Sequence, residues 1–160
     1  MKLRAAVASD IPQLVQMRLA YLTEDHGGIL PEHRERLEQD LPIYFQKNLD
    51  HSLLAYVAED NGEVVTTVLM VITEKPGNPH FLSGKTGLLM NVYTKPDYRR
   101  QGLAGTLINM AIEDAKKLDL AHIELNATPA GYPLYKKLGF VEEQPHYTSM
   151  KYHIQTLETD

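Results

Sequence analysis

Two β-rich runs flank an Asn61-Gly62 pair, and no other feature of the chain constrains its fold as much. Asn-Gly accepts positive φ at both central positions of a type I′ turn, whose twist matches that of two antiparallel strands. The run before it, Leu53 to Ala58, must therefore pair with the run after it, Val64 to Ile72, which is rich in β-branched residues. A lone hairpin is marginal in water and needs further strands or covering helices.

The rest of the chain supplies both. Residues about 2–7 read as a short strand. Ser9-Asp10 is a helix N-cap signal with Pro12 in the first turn, and Ile11, Leu14, Val15, Leu19 and Leu22 recur at helical spacing to about Glu24, before Gly27-Gly28. A second helical region covers Pro31 to Asn48. Its apolar side holds Leu37, Leu41, Tyr44, Phe45 and Leu49, and Pro42 in its middle predicts two shorter helices. After the hairpin come a loop rich in Pro and Gly, a strand over Thr86 to Thr94, and a helix over Leu103 to Leu118. A short strand, His122 to Asn126, and a short helix, Pro133 to Leu138, follow, with Gly139 as C′ and Phe140 as C″. Phe140–Glu143 and Ser149–Ile154 read as two final strands. The pattern is a mixed α/β domain on one central sheet.

Composition narrows the class. The 160 residues carry 16 Lys+Arg against 21 Asp+Glu, a net charge of −5. A chain of this length buries roughly 70% of its unfolded surface in one core without a disulfide or metal, so residues 1–160 read as a single domain. Cysteine is missing, which excludes a disulfide framework, a thiolate nucleophile and an iron–sulfur cluster. The start, MKLRAAVASD, lacks the apolar segment of a signal peptide, and the longest apolar run falls short of the ~18 residues of a membrane span. A cytoplasmic protein with no membrane partner is expected. The acidic balance argues against a nucleic-acid partner. The seven His form no i, i+4 pair and no H-E-x-x-H motif, so no metal site is expected.

Chemistry concentrates between Met90 and Gly105. A strand ends, a basic turn carries Lys95, Arg99 and Arg100, and the small residues Gly102, Ala104 and Gly105 open a helix. Unpaired N–H groups and a partial positive charge at that helix start suit an anion, most naturally a phosphate or pyrophosphate. The same residues also fit a structural strand–turn–helix corner with a solvated turn. Two other phosphate motifs fail. Gly102-Leu103-Ala104 lacks the third glycine of the Rossmann fingerprint, and Gly84-Lys85-Thr86 has Pro79 where a Walker loop needs glycine.

Arg99-Arg100-Gln101-Gly102-Leu103-Ala104 resembles the R/Q-x-x-G-x-G/A signature of the GNAT superfamily of acetyl-CoA-dependent N-acetyltransferases. Val92-Tyr93-Thr94-Lys95-Pro96 looks like the strand end before that signature, and Leu134-Tyr135-Lys136-Lys137-Leu138-Gly139-Phe140 looks like the C-terminal element of the family. Ala104 stands where many members have Gly, and Gly105 follows directly. The resemblance implies a GNAT-like fold: a mixed, mostly antiparallel sheet of six to seven strands with about four flanking helices. It also implies a splay between strands 4 and 5. Backbone groups of Val92, Tyr93 and Thr94 would bond the pantetheine arm of acetyl-CoA in that gap. The N–H groups of Arg100, Gln101, Gly102, Leu103, Ala104 and Gly105 would hold the pyrophosphate, and Asn126 would bond the arm from the far side.

On residue pattern alone Tyr135 reads as a core tyrosine; the resemblance implies a general acid that protonates the departing thiolate. Glu24, Asp25, His26, Glu124 and Tyr147 are candidates for the base, without a choice among them. Tyr21, Tyr44 and Phe45 are candidates for the acceptor pocket or for packing. With no further domain or peptide-guiding tail, a small-molecule amine is expected before a protein acceptor. The family often pairs through its sheet edge or C-terminal strands, which allows a homodimer. A non-catalytic acyl-CoA sensor or interaction module is the competing class.

Overall fold

The computed structural model describes residues 1–155. Five strands form one sheet in the order β1-β2-β3-β4-β5: β1 (Lys2–Ala5), β2 (Leu53–Asp60), β3 (Glu63–Glu74), β4 (Lys85–Thr94) and β5 (Ile123–Glu124). The first four pair antiparallel; β4 and β5 run parallel. The Asn61-Gly62 turn forms as expected, with φ of 50° and 85° and Asp60 paired to Glu63 across it.

Helices cover both faces. On one side lie α1 (Ile11–His26) and α2 (Pro31–Asn48), on the other α3 (Leu103–Lys117) and α4 (Tyr132–Leu138). Side chains of β2 alternate between them: Ala55 and Val57 join the cluster beneath α1 and α2, whereas Tyr56 and Ala58 join the one beneath α3. A sheet buried on both faces needs apolar residues at consecutive positions, and β3 is buried at every position from Val64 to Met70, with only Thr66 and Thr67 polar among them. Leu107, Ile108 and Ala111 of α3 are fully buried there, and the Tyr56 hydroxyl reaches through to donate to Asp114 Oδ2 at 2.8 Å.

Two expectations fail. Pro42 does not split α2, which runs unbroken from Pro31 to Asn48. The backbone bond it removes would end on Glu38, an exposed residue that water can serve, while buried Phe45 and half-buried Leu37 and Leu41 hold both halves to the core. The sheet also has five strands, not six or seven. Residues 140–155 form no strand; Val141, Tyr147, Met150, Tyr152 and Ile154 are all exposed. A strand needs a neighbour's hydrogen bonds, and β5, only two residues long, presents too short an edge.

The start of the chain is clasped by charge. Arg4 donates to Asp10 (2.7 and 3.0 Å) and Glu59 (2.7 Å), tying β1 to β2 and to the turn before α1. Asp10 is a cap, but for that turn: its Oδ2 accepts from the Val7 N–H at 2.8 Å. No helix among the described residues is long and apolar enough to cross a membrane.

Candidate active site

The site begins where two strands part. Only Gly87 and Leu88 of β4 pair with β5, through Ile123 and Glu124; β4 then continues to Thr94 with no strand on that side. A bulge turns this free half. The β3–β4 register shifts between Thr67 and Leu69, and opposite the shift Asn91 adopts φ of 51°. Its buried side chain fixes the kink: Nδ2 donates to Thr67 Oγ1 at 3.2 Å, and Oδ1 accepts from Arg18 Nη1 at 3.3 Å. Bulges of this kind re-aim backbone and end pairing. Pairing between the fourth and fifth strands therefore ends at Leu88 and Glu124.

Past Thr94 the chain makes a single 3₁₀ turn, Pro96–Tyr98, and enters α3. Arg99 is committed to structure. Its Nε donates to the Thr94 carbonyl at 2.8 Å, Nη2 pairs with Glu24 at 2.7 Å, and the guanidinium lies 5.6 Å from the Tyr93 ring centre. Arg100 and Gly102 have φ of 61° and 74°. These left-handed steps suit Gly102, which no Cβ strains. No side chain caps α3, and none of the N–H groups of residues 100–105 donates to a loop or capping acceptor among the described residues. Ala104 and Gly105 are half-buried, and a Cβ on Gly105 would lie 3.5 Å from Leu134 Cδ1 of α4. These N–H groups are the ones that the sequence assigned to an anion.

Tyr135 is half-buried on α4, edge-on to Phe140 with centroids 6.0 Å apart. A Schellman cap sets that contact: the Phe140 N–H donates to the Tyr135 carbonyl at 3.0 Å, and Gly139 takes φ of 101°. Burial lifts the phenol above its ordinary value, with Tyr21 adding to the effect, so the hydroxyl keeps its proton at neutral pH. The ring rests against Gly131, where a Cβ would come within 2.9 Å of it. Asn126 lies exposed, two residues beyond the end of β5.

A cavity of about 210 Å³ opens between α1, α2 and the sheet, lined by Arg18, Tyr44, Phe45 and Met90 among others. Tyr44 and Phe45 are in its lining, and Phe45 is also buried in the core. Tyr21 stands beside it, its ring 5.9 Å from the Arg18 guanidinium. A larger open groove of about 670 Å³ between the start of α1 and the middle of α2 shares no lining residue with β4, α3 or α4. Among the base candidates, Glu24 is paired with Arg99, Asp25 lies 3.7 Å from His26 on the surface, Glu124 is exposed, and Tyr147 is 89% exposed. Among the described residues no three His, Asp or Glu gather into a group that could hold a metal ion.

Sequence reasoning passed over Arg18, Asn91 and Gly131. A signal existed for the first two: Arg18 interrupts the apolar stripe of α1 between Val15 and Leu19, and Asn91 interrupts an apolar strand. Gly131 gave none.

The profile of the acetyltransferase (GNAT) family matches residues 17–140. The chain belongs to this family. Among solved structures, a predicted acetyltransferase from Clostridium acetobutylicum, solved with acetyl-CoA, superposes with a TM-score of 0.81 at 27% identity, covering 94% of this chain and 95% of that one. A GCN5-related N-acetyltransferase from Ralstonia eutropha JMP134 gives 0.77 at 23% identity, over 93% and 97% of the two chains. Glucosamine-6-phosphate N-acetyltransferase from Arabidopsis thaliana shares the fold at 17% identity, with a TM-score of 0.65 over 96% and 98%. Among curated proteins no match to this sequence was found.

Proposed function

We propose that this protein moves the acetyl group of acetyl-CoA to the primary amine of a small molecule within a ternary complex. One observation carries the reading: the unpaired half of β4 stands beside an uncapped α3, and the half-buried hydroxyl-bearing Tyr135 packs on the same core cluster. The backbone of Val92, Tyr93 and Thr94 is assigned to the pantetheine arm, with Asn126 opposite. The N–H groups of residues 100–105 are assigned to the pyrophosphate, which a helix start binds without a metal.

The thioester supplies an activated acyl carbon; the chain supplies position and protons. Holding amine and thioester in register can contribute ~7–11 kcal/mol. An N–H of Val92 or Tyr93 donates to the oxygen that becomes negative as the amine attacks. The new N–C bond forms, the C–S bond breaks, and Tyr135 gives its proton to the departing thiolate, regaining one from solvent. The amine proton passes to water, because none of the base candidates is enclosed with the reacting groups. No covalent enzyme intermediate is needed, in keeping with a chain without Cys. Such chemistry suits the cytoplasm.

Calorimetric titration with coenzyme A, followed by thiol release from acetyl-CoA against a panel of small amines, tests the reading. Saturable binding and amine-dependent release are expected. No binding overturns the site; binding without release on any amine leaves a sensor in place of an enzyme.

A further inference from the structure

Among the described residues two guanidinium groups have no carboxylate partner, the exposed one of Arg100 and the half-buried one of Arg18. Arg4, Arg34, Arg36 and Arg99 each pair with a carboxylate. Arg18 is half-buried and pairs with none among the described residues. Its one hydrogen bond is the 3.3 Å contact from Nη1 to the neutral amide of Asn91, which leaves the Nε–Nη2 edge without an acceptor. Burial accordingly draws its pKa downward, and Tyr21, Tyr44 and Asp25 only partly offset this through space. A desolvated charge without a partner is unfavourable. Support of the Asn91 bulge is a weak reason to keep one, since a neutral donor would serve an amide acceptor equally well.

The cavity gives Arg18 a different task. Arg18 is the one charged residue in its lining; Leu41, Phe45, Leu53, Leu69 and Met90 make the apolar wall. Met90 belongs to the free half of β4, so the cavity adjoins the open end of that strand, where the proposed reaction would take its acceptor. At about 210 Å³ it is smaller than the ~300–1,000 Å³ typical of ligand pockets, so its occupant is small.

We propose that Arg18 selects an acceptor amine bearing a carboxylate, gripping both oxygens with its Nε–Nη2 edge while the apolar wall holds the carbon skeleton. A planar, two-oxygen anion matches a guanidinium edge as no single-point acceptor does. The substrate class is then an amino acid or a similar amino-carboxylate with an apolar body. This rests on the acetyl-transfer reading for the identity of the reacting amine, but the anion site can be tested without it.

Two measurements separate the claims. In ligand-observed NMR titration, 4-methylpentanoate should bind the wild-type protein at least tenfold more tightly than its amide. Arg18→Met should lose that difference, and Arg18→Lys should restore part of it. In acetyl transfer, the ratio of kcat/KM for leucine over leucinamide should fall about 100-fold from wild type to Arg18→Met, the scale of a charge-assisted bidentate contact. Coenzyme A affinity and thermal melting check that each variant is folded, and Arg18→Gln replaces Arg18→Met if the latter is not. Equal binding of carboxylate and amide by wild type, or discrimination that survives in Arg18→Met, overturns the proposal. Carboxylate binding that depends on Arg18 in a protein that ignores coenzyme A sustains the anion site and removes the acetyl-transfer reading instead.

Discussion

The two ends of β4 have nearly the same kind of sequence and opposite roles. At the start, Gly87 and Leu88 are bonded on both sides, to β3 and β5, and a Cβ on Gly87 would press on Met70 and Leu120. At the end, residues 89–94 keep β3 across the Asn91 bulge but have no strand on the other side among the described residues. Closed pairing stabilises; open pairing leaves backbone donors and acceptors for a ligand. The strand gives up hydrogen bonds at one end, and the site is built there.

If that division holds, changes around the open end alter turnover or binding, and changes at the closed end alter stability alone. The largest effect is expected from Tyr135→Phe. Its kcat should fall about 100-fold or more, the contribution of a general acid, with coenzyme A affinity retained; wild-type turnover would remove Tyr135 from the chemistry. The pH profile sharpens this. A general acid works while protonated, so its function is lost as pH rises through its pKa. Because burial raises that pKa above the ordinary tyrosine value, wild-type kcat should keep this group's contribution to a higher pH than an unperturbed tyrosine would allow, and an alkaline loss at or below the ordinary tyrosine range would count against it. Gly131→Val comes next. A side chain there meets the Tyr135 ring at 2.9 Å, and displacing the ring by a few tenths of an ångström should lower kcat about tenfold. An unchanged kcat would mean that ring placement does not matter.

Gly102→Ala should act on binding before turnover. With φ at 74° a Cβ is strained by about 1 kcal/mol, and relaxation of the loop should raise the KM for acetyl-CoA several-fold at constant kcat. Gly87→Ala tests the closed end. Contacts of 3.0 to 3.3 Å with Met70 and Leu120 should lower stability by about 1 kcal/mol in urea unfolding, with kcat per folded molecule unchanged. A shift in kcat would erase the functional boundary within β4.

Much of this was readable beforehand, and the readable parts share a cause. The Asn61-Gly62 turn, the end of α4 at Gly139 and the small-residue start of α3 are each decided by conformational preferences within a few residues. The expected anion site, and the position of Tyr135 one turn before its cap, came from such local signals. Pro42 misled because its effect on a helix depends on whether core packing outweighs one lost bond. The last two strands misled because alternation such as Met150, Tyr152 and Ile154 shows that a segment can be a strand, not that a partner awaits it. Arg18 was visible as a charge on an apolar stripe, but its meaning required knowing that Asn91 was its only hydrogen-bond acceptor among the described residues.

By itself, then, the order of residues determined the hairpin, α1, α3 and α4, the strand–turn–helix corner and the family, because these follow from spacing and backbone preference over short range. Tertiary structure alone decided how many strands the sheet has, that pairing stops after Leu88, that Gly131 seats the tyrosine ring, and that Arg18 lines a cavity with no carboxylate partner among the described residues. Each of these depends on what a distant segment places nearby, and hydrogen bonding, close packing and charge compensation are properties of pairs.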